Sequence, residues 1–274
     1  MAVVAIGLVA LGLVYATLNL TLLAPADRDG AKVVGLTVHS RDVGGDQGVQ
    51  VVVPGDDVDR TRGKPLLVFL HGHGGSDTTF TEDEAFFRAL AALGPRAPVV
   101  AFPDGGEDSY WHDRATGRWG SYVTGEVIPA VVRRFHLDPR RVAIGGISMG
   151  GFGAYDIALD HPGRFCAVGG HSPALWLEGG ETAPGAFDSA EDFERNDVIG
   201  TVRADPEAFG PIPIWNDVGT EDPFLNGSVA FDEALEAGGA DLTAHEWHGG
   251  HEGSYWDRHW KQYLRFYAHA LANC

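Results

Sequence analysis

Basic side chains are scarce in this sequence. Lysine and arginine number 20 against 38 aspartates and glutamates, a formal charge of −18 at neutral pH. Binding to nucleic acid needs clustered cations that displace counterions from phosphate, and capture by anionic lipid needs the same, so neither function class is expected. What the charge predicts is a soluble, self-repelling acidic surface. Cysteine is almost absent, with Cys166 and Cys274 alone, too few for a disulfide framework or a zinc knuckle. Cys166, inside the apolar run "RFCAVGG", reads as a small buried hydrophobe. Cys274 is the last residue, where chain ends fray. On this reading the chain neither requires an oxidising compartment nor excludes one.

Charged side chains are missing altogether from Met1 to Ala26, over "MAVVAIGLVALGLVYATLNLTLLAPA". About 20 apolar residues in a helix suffice to span a bilayer. Ala24-Pro25-Ala26 has the A-x-A form of a signal-cleavage site, yet the basic n-region and short apolar core of a secretory signal are lacking. The expectation is an apolar helix over residues 1–26 acting as an uncleaved membrane anchor through residues 2–24, with a cleaved signal as the rival. Either places a catalytic unit of residues 27–274 outside the cytoplasm, membrane-anchored or secreted. No Lys or Arg precedes the segment, so orientation cannot be read from flanking charge.

Beyond the linker "APADRDGAK", composition is that of a globular chain, with 44% hydrophobic and 21% charged residues. "VVGLTVHS" and "VQVVVP" read as an opening pair of strands across the turn-rich "RDVGGDQG". "PLLVFL", "APVVAFP", "RVAIGGI", "FCAVGGHS", "PIPIWNDVG" and "LTAHEWHGG" read as further strands. Helices are expected from about Glu82 to Leu93, over "SYVTGEVIPAVVRRF", from Met149 to about Leu159, and from Tyr255 to Leu271. Uninterrupted apolar strands alternating with helices predict a mostly parallel sheet covered on both faces, an α/β fold. Residues 172–210 lack a strong period and read as an insertion over one end of the sheet.

Glycine, by contrast, is plentiful at 38 residues, and it crowds around one serine in "RVAIGGISMGGFGAY". Gly146-Ile147-Ser148-Met149-Gly150 is G-x-S-x-G between an apolar strand and a helix, the context of a nucleophile elbow. The turn strains the serine backbone, so the positions two before and two after it must lack Cβ. Gly151 and Gly153 then let the helix lie close to the sheet. A serine hydroxyl needs a base, and the base a carboxylate that holds its tautomer. Chain order for this architecture is serine, acid, histidine. "HEWHGGHEGSYW" offers His245, His248 and His251; His251, in the loop between the last strand and closing helix, is the expected base, with His248 its rival. "IWNDVGTEDPFL" offers Asp217, Glu221 and Asp222; Asp222, beyond the carboxyl end of its strand, is the expected acid. Asp217, inside the strand, is the expected structural carboxylate, bonding loop amides. Oxyanion donors are expected at the backbone N–H groups of Met149 and of His73 in "HGHGG".

These motifs, with "FPDGGEDSYWHDR", "GEVIP", "GGISMGGFGAYDIALDHPGRF", "GTEDPF" and "GGHEGSYW", resemble the esterase D-like family of α/β-hydrolases, which includes S-formylglutathione hydrolases, feruloyl esterases and secreted mycolyltransferases. The likeness spans roughly residues 50–272. It implies the α/β-hydrolase fold, a Ser148–Asp222–His251 triad, a backbone oxyanion hole, a small-molecule ester or acyl-donor substrate and no cofactor. It leaves the acyl group open, and hydrolysis competes with transfer to an alcohol because both share one acyl-enzyme. Asp104, Trp111 and His112 are candidate cleft residues, with buried structural roles the alternative. Trp176 and Phe187 are candidates for an acyl-pocket wall or for core. A metal hydrolase, using His71-x-His73 and His248-x-x-His251 as imidazole pairs, is disfavoured because both pairs fall on loops already accounted for and no carboxylate-rich motif accompanies them. A non-catalytic surface protein on this scaffold is the remaining rival. Oligomeric state is not legible.

Overall fold

The computed structural model describes residues 26–55 and 58–274, so the expected N-terminal apolar helix lies outside the described residues. The chain runs β1 (Lys32–His39), β2 (Asp46–Val53), β3 (Leu66–Leu70), α1 (Glu84–Ala91), β4 (Val99–Pro103), a small hairpin of β5 (Asp113–Arg114) and β6 (Gly117–Arg118), α2 (Trp119–Tyr122), α3 (Ile128–Phe135), β7 (Val142–Ile147), α4 (Met149–Asp160), β8 (Val168–His171), α5 (Ala190–Arg195), α6 (Val198–Ala204), β9 (Ile214–Gly219), α7 (Leu225–Ala237), β10 (Leu242–Trp247) and α8 (Gly253–Asn273). Eight strands form one sheet in the order β1-β2-β4-β3-β7-β8-β9-β10. β1 and β2 pair antiparallel, β2 meets β4 antiparallel, and every later pairing is parallel.

The central strands β3, β4 and β7 are buried at every position, which is why they read as unbroken apolar runs rather than alternating ones. Alternate residues feed two cores. Leu66, Val68, Val142 and Ile144 join α3, α4, α6 and α7 on one face. Leu67, Phe69, Ala143 and Trp215 join α1 and α8 on the other. Asp83 caps α1, one carboxylate oxygen accepting from the N–H groups of Ala85 and Phe86 at 2.8 and 3.0 Å. Its other oxygen accepts from Trp260 Nε1 at 2.6 Å and locks α1 to α8.

Three features depart from the sequence reading. The helix expected over "SYVTGEVIPAVVRRF" is divided by a π-turn at Val123–Val127. Pro129 follows it, and a proline lacking N–H deprives the ladder of a bond at that level. α7 is an additional 13-residue helix. The two cysteines are joined in a disulfide, with Cα atoms 5.6 Å apart and 108 residues between them in sequence. Cys274 is therefore tied down where fraying was expected, because the end of α8 packs beside the chain entering β8. Residues 172–210 contribute α5 and α6, and Val198, Ile199 and Val202 of α6 belong to the main core.

Candidate active site

All parallel strands end on one edge, and the loops leaving β3, β7, β9 and β10 meet there. Ser148 sits between β7 and α4 with φ +56° and ψ −117°, a conformation that side-chain-bearing residues rarely adopt. Its N–H donates to the His171 carbonyl at 3.1 Å. Its own carbonyl accepts the Phe152 N–H at 3.1 Å, the first bond of the helix. The flanking glycines are steric necessities. A Cβ on Gly146 would stand 2.8 Å from the Leu70 carbonyl oxygen, and one on Gly150 would stand 2.7 Å from the His71 carbonyl oxygen. Gly153 makes room for something unforeseen: its missing Cβ is replaced by the Trp111 ring, not by the sheet.

His251 Nε2 lies 2.8 Å from Ser148 Oγ, and His251 Nδ1 lies 2.8 Å from Asp222 Oδ2. The Asp222 side chain is fully buried, whereas that of His251 is 24% exposed. Asp222 Oδ1 accepts the Phe224 N–H at 2.8 Å, so the carboxylate is fixed by its own loop. Backbone bonds hold the acid and base loops together: Thr220 N–H donates to Trp247 O at 2.8 Å and Glu221 N–H to Gly249 O at 2.9 Å. With Asp222 accepting at Nδ1, that nitrogen carries the proton and Nε2 faces the serine as acceptor.

The rival residues are placed elsewhere. His248 is exposed and 3.7 Å from Glu221. His245 stacks on Trp247 and packs at a tilt against Trp215, and burial holds its imidazole below the usual range, with Asp217 opposing that shift. Asp217 is fully buried, but its partners are side chains of β8, β9 and α8 rather than loop amides. His171 Nδ1, Trp215 Nε1 and the hydroxyls of Tyr255 and Tyr263 all donate to it, at 2.7 to 2.9 Å.

The loop after β3 lies over the serine, since a Cβ on Gly72 would stand 3.4 Å from Ser148 Cβ. Among the described residues, the N–H groups of His73 and Met149 donate to no acceptor in the protein. Met149 is the first residue of α4, so the positive end of the helix dipole is aimed at the same spot. His71 braces this loop from below. Its Nδ1 donates to Gly72 O at 2.8 Å and its Nε2 accepts from Gly105 N–H at 3.0 Å. Acceptance at Nε2 requires the neutral ring, and burial pushes its pKa down to match, against smaller raising effects from Gly72 and Asp104.

The three candidate cleft residues do not line the cavity at Ser148. Trp111 and His112 are wholly buried. The chain turns inward through two consecutive left-handed residues, Tyr110 and Trp111, at φ +51° and +62°. Trp111 Nε1 then donates to His71 O at 3.1 Å. His112 Nε2 donates to Asp192 at 3.1 Å and fastens the 172–210 segment. Asp104 accepts Gly106 N–H at 3.0 Å and shapes its own turn. Trp176 and Phe187 are half-buried and pack with Tyr110 and Phe152 against the main core. The actual cavity, about 1070 Å³, opens towards α1 and α8. Ser148, His251, Gly72 and His73 form its inner end, Phe80 and Trp256 line its walls, and Glu84, Arg88, Asp257 and Arg258 also border it. From sequence Trp256 reads only as one of the aromatics of the amphipathic closing helix, although it lies five residues after His251; its ring meets the imidazole edge-on at 5.1 Å. Among the described residues no three His, Cys, Asp or Glu side chains converge in a way that could hold a metal ion.

Comparison with known proteins gives the family and the fold. An esterase family model matches residues 40–272. An esterase of Mycobacterium tuberculosis is 30% identical over 251 residues, covering 76% of this chain and 53% of its own length, so the chain spans about half of that relative. The S-formylglutathione hydrolase of Bos taurus is 30% identical over 193 residues, covering 59% of this chain and 66% of its own. Among solved structures, a ferulic acid esterase superposes with a TM-score of 0.76 at 22% identity, over 88% of this chain and 98% of that one.

Proposed function

The chain belongs to the esterase family, and from that premise we propose that residues 27–274 form a serine hydrolase that cleaves carboxylic esters through an acyl-enzyme. The observation that carries the reading is the unbroken hydrogen-bond chain from Asp222 through His251 to Ser148, with 2.8 Å at each link. In this mechanism His251 Nε2 takes the Ser148 proton as Oγ attacks the ester carbonyl. Asp222 accepts Nδ1–H throughout and stabilises the imidazolium that forms. The free N–H groups of Met149 and His73 receive the developing oxyanion. His251 then protonates the departing alcohol, and a water activated by the same imidazole releases the acid and restores Ser148. His71 acts indirectly, by setting the orientation of the peptide that carries the oxyanion donor.

The relatives' names support ester and thioester chemistry without fixing the acyl group, and acyl transfer to an alcohol would use the same intermediate. The disulfide supports placing this unit in an oxidising compartment, in line with export through residues 2–24. The test is turnover of p-nitrophenyl esters of graded acyl length by wild type and Ser148→Ala. The reading requires turnover by the wild type and its loss in the variant; equal rates from the two would refute it.

A further inference from the structure

Beneath the Ser148–His251–Asp222 chain lies a second carboxylate–imidazole pair, Asp217 with His171, which sit opposite each other on parallel strands β9 and β8. Both side chains are wholly inaccessible to solvent. His171 Nε2 accepts from the Tyr267 hydroxyl at 3.0 Å, which leaves Nδ1 to donate to Asp217 Oδ1 at 2.7 Å. Trp215 Nε1 donates to the same oxygen. Tyr255 and Tyr263 donate to Oδ2, each at 2.9 Å. Burial, reinforced by Asp217, pushes both phenols far up, so they remain donors.

This knot touches the reacting groups from two sides without contacting substrate. The His171 carbonyl accepts the N–H of Ser148, so the end of β8 holds the nucleophile's own backbone. Tyr255 lies in the first turn of α8, four residues after His251, and its N–H closes the helix start on Glu252 O at 3.0 Å. Anchoring Tyr255 therefore fixes where α8 begins and how the loop carrying His251 enters it. We propose that Tyr255, gripped by Asp217, is a positioning residue for His251. The proposal rests on the reading of Ser148, His251 and Asp222 as a catalytic triad.

Tyr263 is a built-in control. It donates to the same carboxylate oxygen over the same distance, but eight residues further along α8, away from the base; its ring packs on His171 at 3.7 Å, a contact that phenylalanine keeps. Tyr255→Phe and Tyr263→Phe should therefore lose similar stability and behave differently in catalysis. In Tyr255→Phe, kcat should fall by about tenfold or more while KM stays within about twofold, the signature of a misplaced base. Ser148 labelling by a fluorophosphonate should slow in parallel. In Tyr263→Phe, kcat should stay within about twofold of wild type at a comparable fall in Tm. Both variants are assayed well below the lower Tm, so unfolded protein does not enter the comparison. Equal losses of kcat in both variants, or an unchanged kcat in Tyr255→Phe, would overturn the proposal. A wild-type enzyme with neither ester turnover nor labelling would instead fail the triad reading on which it rests, and the proposal with it.

Discussion

Breaking the Cys166–Cys274 bond should lower the Tm by about 8 °C, a figure that follows from where the two residues sit. The bond links positions 108 residues apart, and a loop of that length restricts the unfolded chain by about 4.7 kcal/mol in the chain-entropy account. An unfolding entropy of about 0.6 kcal/mol/K, typical of a chain this long, converts that into about 8 °C. The folded state does not depend on the bond alone to hold this end of the chain. Arg141 Nε and Nη2 both donate to Leu271 O, at 2.8 and 2.7 Å, and hold the last turn of α8 independently. The folded state should therefore keep its shape on reduction, leaving the effect in the unfolded ensemble. Melting curves with and without a phosphine reductant, beside Cys274→Ser, measure it. Thiol titration in denaturant should find none before reduction and both cysteines after it. A shift below about 2 °C, with both thiols shown to be free, would refute the loop-entropy reasoning. Thiols reactive without reductant would refute the bond itself.

Asp222→Asn should fold, since its amide oxygen can still accept the Phe224 N–H, yet its NH₂ would face Nδ1 and select the wrong tautomer; kcat should fall by about 10⁴, read from steady-state ester hydrolysis. Asp232 is pushed up to about 7, chiefly by burial, with the Asn216 amide bond opposing. Because its folded pKa lies above the unfolded value, its contribution is intact below about pH 4 and is lost as pH rises to about 7, by at most about 4 kcal/mol. Asp232→Asn should remove that slope and be the more stable form at pH 8, by urea unfolding at both pH values. Gly150→Ala would drive a Cβ into the carbonyls of Leu70 and His71; a stability loss of about 3 kcal/mol is expected in the same urea assay.

The sheet was legible because its central strands are buried on both faces and so read as unbroken apolar runs; "LLVFL" and "VAIGGI" map directly onto β3 and β7. The serine, histidine and acid were legible because each follows a strand end at the edge where the loops converge. What escaped depends on contacts that leave no local pattern. Nothing in the sequence pairs Cys166 with a residue 108 positions away. α7 begins "LNGS", a weak start, and Gly227 is there to let it press against the Leu175 carbonyl. "SYWHDR" reads as a cleft segment because it follows a strand at the right edge, but two left-handed residues turn Trp111 and His112 into the core. The cavity wall comes instead from α8, α1 and the segment that leads into α1, the two helices being brought together by the Asp83–Trp260 bond across 177 residues.

The central claim, that Ser148 is a nucleophile activated by His251, is tested most directly by locating a covalent adduct. Wild-type protein treated with a fluorophosphonate should gain one adduct by intact mass, and peptide mapping should place it on Ser148. His251→Ala should label far more slowly and Ser148→Ala not at all. An adduct on any other residue, or labelling of Ser148→Ala at the wild-type rate, would contradict the account.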